Sequence, residues 1–249
     1  MNEIEYKQFY DKVGKMNGWD FSHVKCISEG LQWNFAKEVI TRSKTSDLLL
    51  DIGTGGGESI LPIADSVLLL TGIDRSEQMI RTAIENANRS GKSNVRFLQM
   101  DAEKLDFPRE FFDMITCRHS NFSAKEAAKV LVKGGIFITQ QVSEDDKLNL
   151  KEAFGRGQAW GTTAGKLREQ YLTELKEAGF TDIQSFDFDV TEYYQTVEDL
   201  VFLLTHTPII PSFGENEHDY RILYQFVLEN QTNKGIKTNA ARFVITARL

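Results

Sequence analysis

The chain has 249 residues, of which 41% are hydrophobic and 26% charged, and this is enough to bury the core of a globular domain. Its formal net charge is −7 and no dense cluster of Lys and Arg appears, so the composition disfavours a surface that neutralises nucleic-acid phosphates. Two cysteines and four histidines, without a CxxC pair or a zinc-ligand spacing, predict neither a disulfide framework nor a metal site.

The longest apolar runs are too short to cross a bilayer, so we expect no membrane partner. The opening residues Met1–Glu5 lack the basic and apolar leader of a secretory signal. These two features together predict a cytoplasmic protein.

The first 44 residues are rich in aromatic side chains. We predict an amphipathic helical arm that either closes over a ligand crevice as a lid or pads a hydrophobic surface of the core. In the lid interpretation, Tyr10 and Trp33 are the side chains expected to touch a ligand. The aromatic residues of this segment are Tyr6, Phe9, Tyr10, Trp19, Phe21, Trp33 and Phe35.

A glycine-rich loop follows the first apolar run. Leu48–Ile52 is typical of a strand that is covered on both faces, and Gly53, Gly55 and Gly57 come directly after it. Glycine lets the backbone turn sharply and approach a ligand where a Cβ would clash. Such glycines also form tight turns in folds that bind nothing there, but the acidic residues downstream favour a nucleoside cofactor.

Two further strands end in acidic residues. Val67–Ile73 leads to Asp74, at the position where a nucleotide-binding unit presents a carboxylate to ribose hydroxyls. Val95–Met100 leads to Asp101, where a carboxylate can accept a hydrogen bond from an adenine amino group. Each aspartate alone could equally be a solvated helix N-cap, but two at successive strand ends favour binding.

The identity of the cofactor depends on the loop spacing. NAD binding requires Gly-x-Gly-x-x-Gly, and Glu58 stands where the third glycine should be, with a charge that repels pyrophosphate. S-adenosylmethionine (SAM) has no phosphate, and its ammonium and sulfonium are cationic, so nearby acids suit it. The residues therefore favour SAM over NAD.

Strand and helix signals continue to alternate, which predicts a parallel sheet with helices on both faces. Ser76 is expected to cap the second helix, Gly91 to end it, and Gly179 to end the fifth helix. The predicted helices are Thr54–Ala64 (apart from the glycine turn at its start), Ser76–Ser90, Ala124–Leu131, Glu144–Phe154 and Lys166–Ala178, and the fifth strand is Ile136–Val142.

The last part of the chain has a different pattern. Ile183–Val190 and Arg242–Leu249 alternate apolar and polar residues, which predicts less buried, antiparallel edge strands. The long segment 191–241 between them is predicted to contain the helices Val197–Leu204 and Asp219–Leu228.

These motifs together carry a family resemblance. Asp51-x-Gly53-x-Gly55-x-Gly57, Asp74, Asp101-Ala102, Phe112–Ile115 and Val130–Phe137 resemble the successive motifs of class I SAM-dependent methyltransferases. Within this family, the chain resembles the methyltransferases that act on small molecules, the group that includes the ubiquinone/menaquinone, trans-aconitate and malonyl-thioester O-methyltransferases. It covers residues 45–145, and the segment 191–241 more weakly resembles the substrate-side insertion of the latter two enzymes.

The resemblance implies an α/β, Rossmann-like fold. The expected sheet has seven mostly parallel strands with an antiparallel last strand, flanked by helices on both faces. We expect a single domain over 1–249, made of an N-terminal helical lid (1–44), a SAM-binding core (45–145) and a helical substrate-side insertion (191–241).

The resemblance also implies which residues form the site. Arg118 and His119 follow the fourth strand, where the acceptor approaches the methyl group and where members of the group differ. The cofactor-binding residues are expected to be Asp51, Gly53, Thr54, Gly55, Gly57, Asp74, Arg75, Met79, Asp101, Ala102, Glu103, Cys117, Tyr10 and Trp33.

The acceptor side leaves several interpretations open. His119 is a candidate general base, or it shapes the pocket without moving a proton. Arg118 is a candidate for orienting a carboxylate acceptor, which would need no base. Phe122 and His206 are expected near the acceptor, although a histidine such as His206 often only satisfies a buried carbonyl.

The sequence thus predicts a methyltransferase that acts on a small organic acceptor, with O-, N- or C-methylation left open. The alternatives are a non-catalytic SAM-binding regulatory module and an NAD-dependent oxidoreductase. We expect a monomer or homodimer without a nucleic-acid partner.

Overall fold

The computed structural model describes residues 3–16, 20–30 and 33–249. Trp19 and the side chain of Tyr6, which belong to the predicted aromatic arm, lie outside the described residues. No helix in these ranges is long and apolar enough to cross a membrane.

The described residues form eight α-helices, one 3₁₀ helix and nine strands. The helices are α1 (Glu3–Met16), α2 (Phe35–Arg42), α3 (Glu77–Ser90), α4 (Ala124–Val130), α5 (Leu148–Phe154), α6 (Lys166–Glu177), α7 (Val197–His206) and α8 (Glu217–Asn230), and the 3₁₀ helix is Leu61–Ser66. The strands are β1 (Cys26–Glu29), β2 (Leu48–Ile52), β3 (Leu69–Asp74), β4 (Val95–Gln99), β5 (Phe112–Arg118), β6 (Leu131–Val142), β7 (Thr181–Tyr194), β8 (Gln231–Thr232) and β9 (Gly235–Arg248).

All nine strands belong to one sheet, in the order β1-β7-β9-β6-β5-β2-β3-β4, with β8 paired to β9. Strands β2 to β6 pair in parallel, and β9 runs antiparallel between β6 and β7. The predicted Rossmann-like sheet with an antiparallel last strand is confirmed, and the short strands β1 and β8 extend it. Because parallel strands end at the same edge, the loops after β2, β3, β4 and β5 meet there.

Helices cover both faces of the sheet, as predicted. On one face, α4 and α6 pack on the core through side chains such as Ala127 and Leu175. On the other face, α2, α3 and the 3₁₀ helix pack through side chains such as Val39 and Ile80. Helices α5, α7 and α8 form a third cluster around Leu200, so the segment between β7 and β9 has a small core of its own.

The boundaries of α3 follow the predicted caps. The Ser76 hydroxyl accepts a hydrogen bond from the Met79 backbone N–H, which satisfies a donor of the first turn. The helix ends at Gly91, whose φ of +69° is the left-handed conformation that glycine adopts readily.

Three local predictions were wrong. After the expected glycine turn, residues 58–60 also form turns rather than a helix, because the consecutive glycines before them disfavour one, and only the 3₁₀ helix Leu61–Ser66 forms. The helix expected from Glu144 starts at Leu148, because Lys147 adopts a φ of +53°. Strand β9 is not an edge strand: it lies between β6 and β7, and Val244 on one face and Ile245 on the other are fully buried.

Candidate active site

The glycine loop lies at the carboxyl edge of the sheet. The backbone N–H groups of Gly53 and Thr54 both donate to the Ile73 carbonyl at 2.9 Å, so the loop is tied to the end of β3. Gly53, Gly55 and Gly57 have φ values of +72°, +56° and +80°, which side chains other than glycine rarely adopt. The conformation that the sequence predicted for this loop is therefore present.

Gly53 also meets a residue that sequence reasoning missed. A Cβ at Gly53 would collide with the side chain of Ser120, in the loop after β5. The glycine at this position is therefore required by packing within the protein as well as by the turn. No periodicity or motif in the sequence indicates this contact, because the two residues come from strands far apart in the chain.

Asp74 holds the same loop in place. One carboxylate oxygen accepts the Gly55 backbone N–H at 2.9 Å and the other accepts the Ser76 backbone N–H at 2.9 Å. Burial raises the pKa of Asp74 above its usual value, and the neighbouring Asp11 raises it further. A carboxylate can accept about four hydrogen bonds, so Asp74 retains capacity for a ligand.

The third strand end carries a pair of exposed charges. The Arg75 guanidinium donates to Asp101 at 3.1 Å, and the other oxygen of Asp101 accepts the Glu103 backbone N–H at 3.0 Å. Ala102 is half-buried and Glu103 is exposed. The predicted residues at the ends of β3 and β4 therefore lie together next to Asp74; they are Arg75, Asp101, Ala102 and Glu103.

Asp51 is a second buried carboxylate at this edge. It is 5% exposed and accepts a hydrogen bond from the Thr116 hydroxyl at 2.7 Å. Burial raises the pKa of Asp51 to about 6, although the hydrogen bond from Thr116 and the charge of Arg118 lower it. Asp51 is therefore half-protonated near pH 6, and a cationic ligand beside it would favour its ionised form.

Two of the predicted cofactor-binding side chains are buried in the protein interior. The Cys117 thiol is fully buried and donates to the Ser120 carbonyl at 3.1 Å, and burial raises its pKa well above the usual range. Met79 is 1% exposed on α3. The structure therefore places both beneath the site rather than on its surface.

His119 lies in the loop that follows β5. Its φ is +56°, its backbone N–H donates to the Gln140 carbonyl at 2.8 Å, and its Nε2 lies 3.0 Å from Gln140 Nε2. With the Gln140 amide as donor, His119 Nε2 accepts and the ring proton is on Nδ1. Burial, together with the charges of Arg242, Arg118 and Lys147, lowers the pKa of His119 well below 6.5, so the ring is neutral at pH 7.

Arg118 is exposed at the end of β5. Its guanidinium donates to the Ser59 hydroxyl at 2.9 Å and lies 6.0 Å from the centre of the Phe35 ring. Within the described part of the chain, Arg118 forms no ion pair with a carboxylate. It is therefore free to receive an anionic group at the mouth of the site.

A buried charge cluster that the sequence did not reveal lies beside His119. Arg242 forms an ion pair with Asp146, and the Lys147 ammonium donates to the Glu192 carboxylate at 2.6 Å. The Tyr194 hydroxyl donates to the same carboxylate at 2.9 Å. These five residues come from three separate parts of the chain, so no spacing rule connects them.

The N-terminal helix docks directly beside Asp74. The Ser76 hydroxyl donates to Asp11 at 2.6 Å, and the Thr82 hydroxyl donates to the Gly14 carbonyl at 3.3 Å. A Cβ at Gly14 would lie 3.2 Å from the Met79 backbone nitrogen, so α1 and α3 are in close contact. The arm thus covers the residues around Asp74.

Tyr10 and Trp33 lie in different surroundings. Tyr10 packs edge-on against Phe9 on α1, with ring centres 5.4 Å apart. Trp33 packs against Phe186 of β7 at 5.0 Å, and its buried Nε1 has no hydrogen-bond partner among the described residues. Of these two residues, only Tyr10 lies on α1, the helix that docks beside Asp74.

Phe122 and His206 are not brought to one pocket. Phe122 is 3% exposed and stacks on Tyr171 at 4.4 Å in the core. His206 is 5% exposed, stacks on Phe202 at 3.8 Å, and its Nδ1 lies 2.8 Å from the Phe202 carbonyl. The structure does not bring the two together, because each is held in a separate packed cluster, and their place near the acceptor stays a prediction.

The residues at this edge fit SAM. Asp74 has unused acceptor capacity, Asp51 adds a second carboxylate, and Gly53 and Gly55 of the loop are partly exposed. The buried Thr54 hydroxyl has no hydrogen-bond partner among the described residues. The Glu58 carboxylate lies against Gly56, where a Cβ would collide with it, so the loop is unsuited to the pyrophosphate of NAD.

Comparisons with known proteins support this assignment. A family model described as "Methyltransferase domain" matches residues 43–179. The uncharacterized methyltransferase YcgJ of Bacillus subtilis (strain 168) is 39% identical over 97 residues, which cover 36% of this chain and 38% of that protein. A malonyl-[acyl-carrier protein] O-methyltransferase of Paenibacillus sp. (strain JDR-2) is 25% identical over 206 residues, which cover 72% of this chain and 75% of that protein.

A solved structure shows the same fold. The crystal structure of a putative methyltransferase from Bacillus halodurans C-125 matches with a TM-score of 0.60 and 20% identity, over 86% of this chain and 98% of that one. The matches with three of the curated relatives, including YcgJ, span 38%, 64% and 44% of their lengths. Family and fold both imply SAM as the methyl donor, and the chain belongs to the methyltransferase domain family.

Proposed function

We propose that this protein transfers a methyl group from SAM to a small organic acceptor. The observation that carries the proposal is the junction of the glycine loop with Asp74, which lies at the carboxyl edge of the sheet with Asp51 and Asp101 beside it. SAM, when bound, supplies an electrophilic methyl group on a sulfonium leaving group. The protein has to align the acceptor with that group in a site without water, and such positioning contributes roughly 7 to 11 kcal/mol.

The chain provides separate groups for binding and for alignment. Asp74 accepts hydrogen bonds from ribose hydroxyls, and Asp51 offers a negative charge to the cationic end of the cofactor. Helix α1 excludes water as a lid over the same edge, since Asp11 already anchors it to Ser76 beside Asp74.

On the acceptor side, Arg118 and His119 have different roles. Arg118 binds an anionic or polar group of the acceptor, because it forms no ion pair within the described residues. His119 orients the acceptor through its Nδ1–H rather than by removing a proton, because its low pKa makes it a weak base. The single-domain arrangement with arm 1–44, core 45–145 and insertion 191–241 belongs to the same proposal.

The acceptor is proposed to be a metabolite rather than a nucleic acid, since the net charge is −7. The relatives named above include a malonyl-[acyl-carrier protein] O-methyltransferase, and this supports a small acyl group as the acceptor. A monomer or homodimer belongs to the same proposal. The cytoplasmic location stays a prediction.

Incubation of the purified protein with isotope-labelled SAM and a small-molecule fraction of cell extract tests the proposal. We expect S-adenosylhomocysteine (SAH) to form together with a labelled metabolite that mass spectrometry can identify. SAM binding without turnover on any fraction would favour a non-catalytic SAM-binding module. Labelling of bulk RNA in place of a metabolite would contradict the small-molecule acceptor.

A further inference from the structure

A cavity of about 280 Å³ lies beyond the carboxyl end of β6, where no predicted site residue is found. Its walls come from the end of β6 and the following turn, from α5, from the loop that joins α5 to α6, and from the start of α6. Ile209, between α7 and α8, also lines it. The cavity volume suits a small ligand or one end of a longer one.

Lys151 is the buried charge of this cavity. The residue is 2% exposed, and its ammonium donates to the Glu144 carbonyl and to the Gln158 carbonyl, the latter at 3.2 Å. Among the described residues no carboxylate forms an ion pair with Lys151. An ammonium has three N–H donors, so one donor of a buried cation is left for a ligand.

The two acidic side chains in the cavity wall are already engaged. The Glu144 carboxylate accepts the backbone N–H groups of Gly165 and Leu167 at 3.0 and 2.7 Å, at the start of α6. Asp146 is paired with Arg242. Burial lowers the pKa of Lys151, and the nearby acidic groups, Asp146 first, offset only part of this effect.

The remaining walls divide into polar and apolar parts. The hydroxyls of Ser143 and Thr162 can donate hydrogen bonds to an oxygen held by Lys151. Val142, Leu167 and Ile209 provide apolar contacts beside them. A ligand that suits both parts has an anionic oxygen group on an aliphatic chain.

The cavity is adjacent to the acceptor side of the active site. Gln140, which contacts His119, lies on β6, and Ser143, which lines the cavity, follows the end of this strand three residues later, about 10 Å away along an extended chain. The length of acceptor that would bridge the two regions is therefore that of a short aliphatic chain.

We propose that this cavity binds a carboxylate at the distal end of an elongated acceptor, with the Lys151 ammonium as its anchor. The inference rests on the proposed function, because it identifies the class of acceptor that the same site would take. Lys151 is the buried cation of the cavity and Lys166 lies exposed at its rim, so one anionic group at the buried end meets one ammonium, whereas the second charge of a phosphate dianion there would face the Glu144 and Asp146 carboxylates.

The test is a set of calorimetric titrations of the SAH-loaded protein with hexanoate, hexan-1-ol and hexyl phosphate. We expect hexanoate to bind more tightly than the alcohol or the phosphate. Lys151→Met should weaken hexanoate binding at least tenfold and leave the Kd for SAH within twofold of wild type. Lys133→Met is the matched control, since Lys133 is exposed near the opposite end of β6, and it should change neither Kd.

A second variant keeps the test decisive if Lys151→Met does not fold. Thr162 is exposed on the cavity rim, so Thr162→Trp should keep the fold, narrow the cavity and weaken hexanoate binding by a similar factor. The inference is overturned if either folded variant binds hexanoate with a Kd within twofold of wild type. It is also overturned if the wild-type protein, at about 1 mM, shows no binding of hexanoate at a 50-fold molar excess. Tighter binding of hexyl phosphate would overturn the choice of a carboxylate. A wild-type protein that fails to bind SAH would contradict the proposed function instead.

Discussion

Asp74→Ala is the substitution that separates ligand binding from loop support. In the wild-type protein, the carboxylate accepts the Gly55 and Ser76 N–H groups at 2.9 Å each, and hydrogen bonds to a charged group contribute about 1.5 to 3 kcal/mol. Relief of the unfavourable burial and of the repulsion from Asp11 offsets part of this loss. We therefore expect the free energy of unfolding to fall by about 1.5 to 3 kcal/mol.

Binding of SAM should fall by a comparable amount, because the ribose hydroxyls lose their acceptor. A loss of about 1.5 to 3 kcal/mol corresponds to a Kd roughly 10- to 150-fold higher. Calorimetric titration with SAH measures the binding, and urea unfolding of the same sample measures the stability.

Asp113→Ala is the matched control for this experiment. Asp113 accepts the Leu48 backbone N–H at 2.9 Å, at the amino ends of β5 and β2, so it supports the same strands far from the crevice. Its replacement should lower stability and leave the Kd for SAH within twofold of wild type. The reasoning is refuted if Asp74→Ala binds SAH within twofold of wild type, or if Asp113→Ala weakens binding equally.

Three other predictions concern Asp51, the arm and the acceptor side. The folded-state pKa of Asp51 is raised from 3.8 to about 6, so the folded protein binds more protons in this window and its stability falls as pH rises through it. Asp51→Asn should remove this pH-dependent loss of unfolding free energy, which is at most roughly 3 kcal/mol. Urea unfolding at pH 4 and pH 7.5 measures it, and a difference in stability between the variant and wild type that is the same at both pH values would contradict the prediction. Gly14→Val should crowd Met79 and loosen α1, so hydrogen exchange in α1 should speed up by at least tenfold; unchanged protection would mean that α1 tolerates the extra side chain. Arg118→Gln should mainly raise KM for the acceptor. In the wild-type protein, kcat at saturating SAM should show no inflection near pH 6.5, because the pKa of His119 lies well below that value. An inflection there that is lost in His119→Asn would show that His119 acts as the base.

The sequence was sufficient for the order of the fold and for the cofactor edge. Short apolar strands that end in Gly53, Asp74 and Asp101 indicate a parallel sheet with its ligands at one edge, since local chain pattern alone determines which residues leave a strand. The caps of α3 were predictable for the same reason, because Ser76 and Gly91 act on the turns next to them.

The acceptor side was less predictable because it is built from contacts between distant segments. The alternation in β9 does not show that sheet neighbours on both sides bury it. Likewise, the ion pair of Arg242 with Asp146 and the unpaired ammonium of Lys151 depend on tertiary packing that no spacing rule encodes. His206 fits the second interpretation that the sequence left open, since its ring packs on Phe202 and its Nδ1 lies 2.8 Å from the Phe202 carbonyl.

The central claim, that the glycine loop and the acids beside it hold SAM, is tested most directly by calorimetric titration of the wild-type protein with SAM, SAH and NAD⁺. The account predicts one site that binds SAM and SAH with a Kd below about 1 mM, as expected of an enzyme for its substrate. It also predicts that NAD⁺ binds more weakly than either, because Glu58 lies in the loop. Absence of binding of both SAM and SAH at millimolar concentration, or tighter binding of NAD⁺, would contradict it.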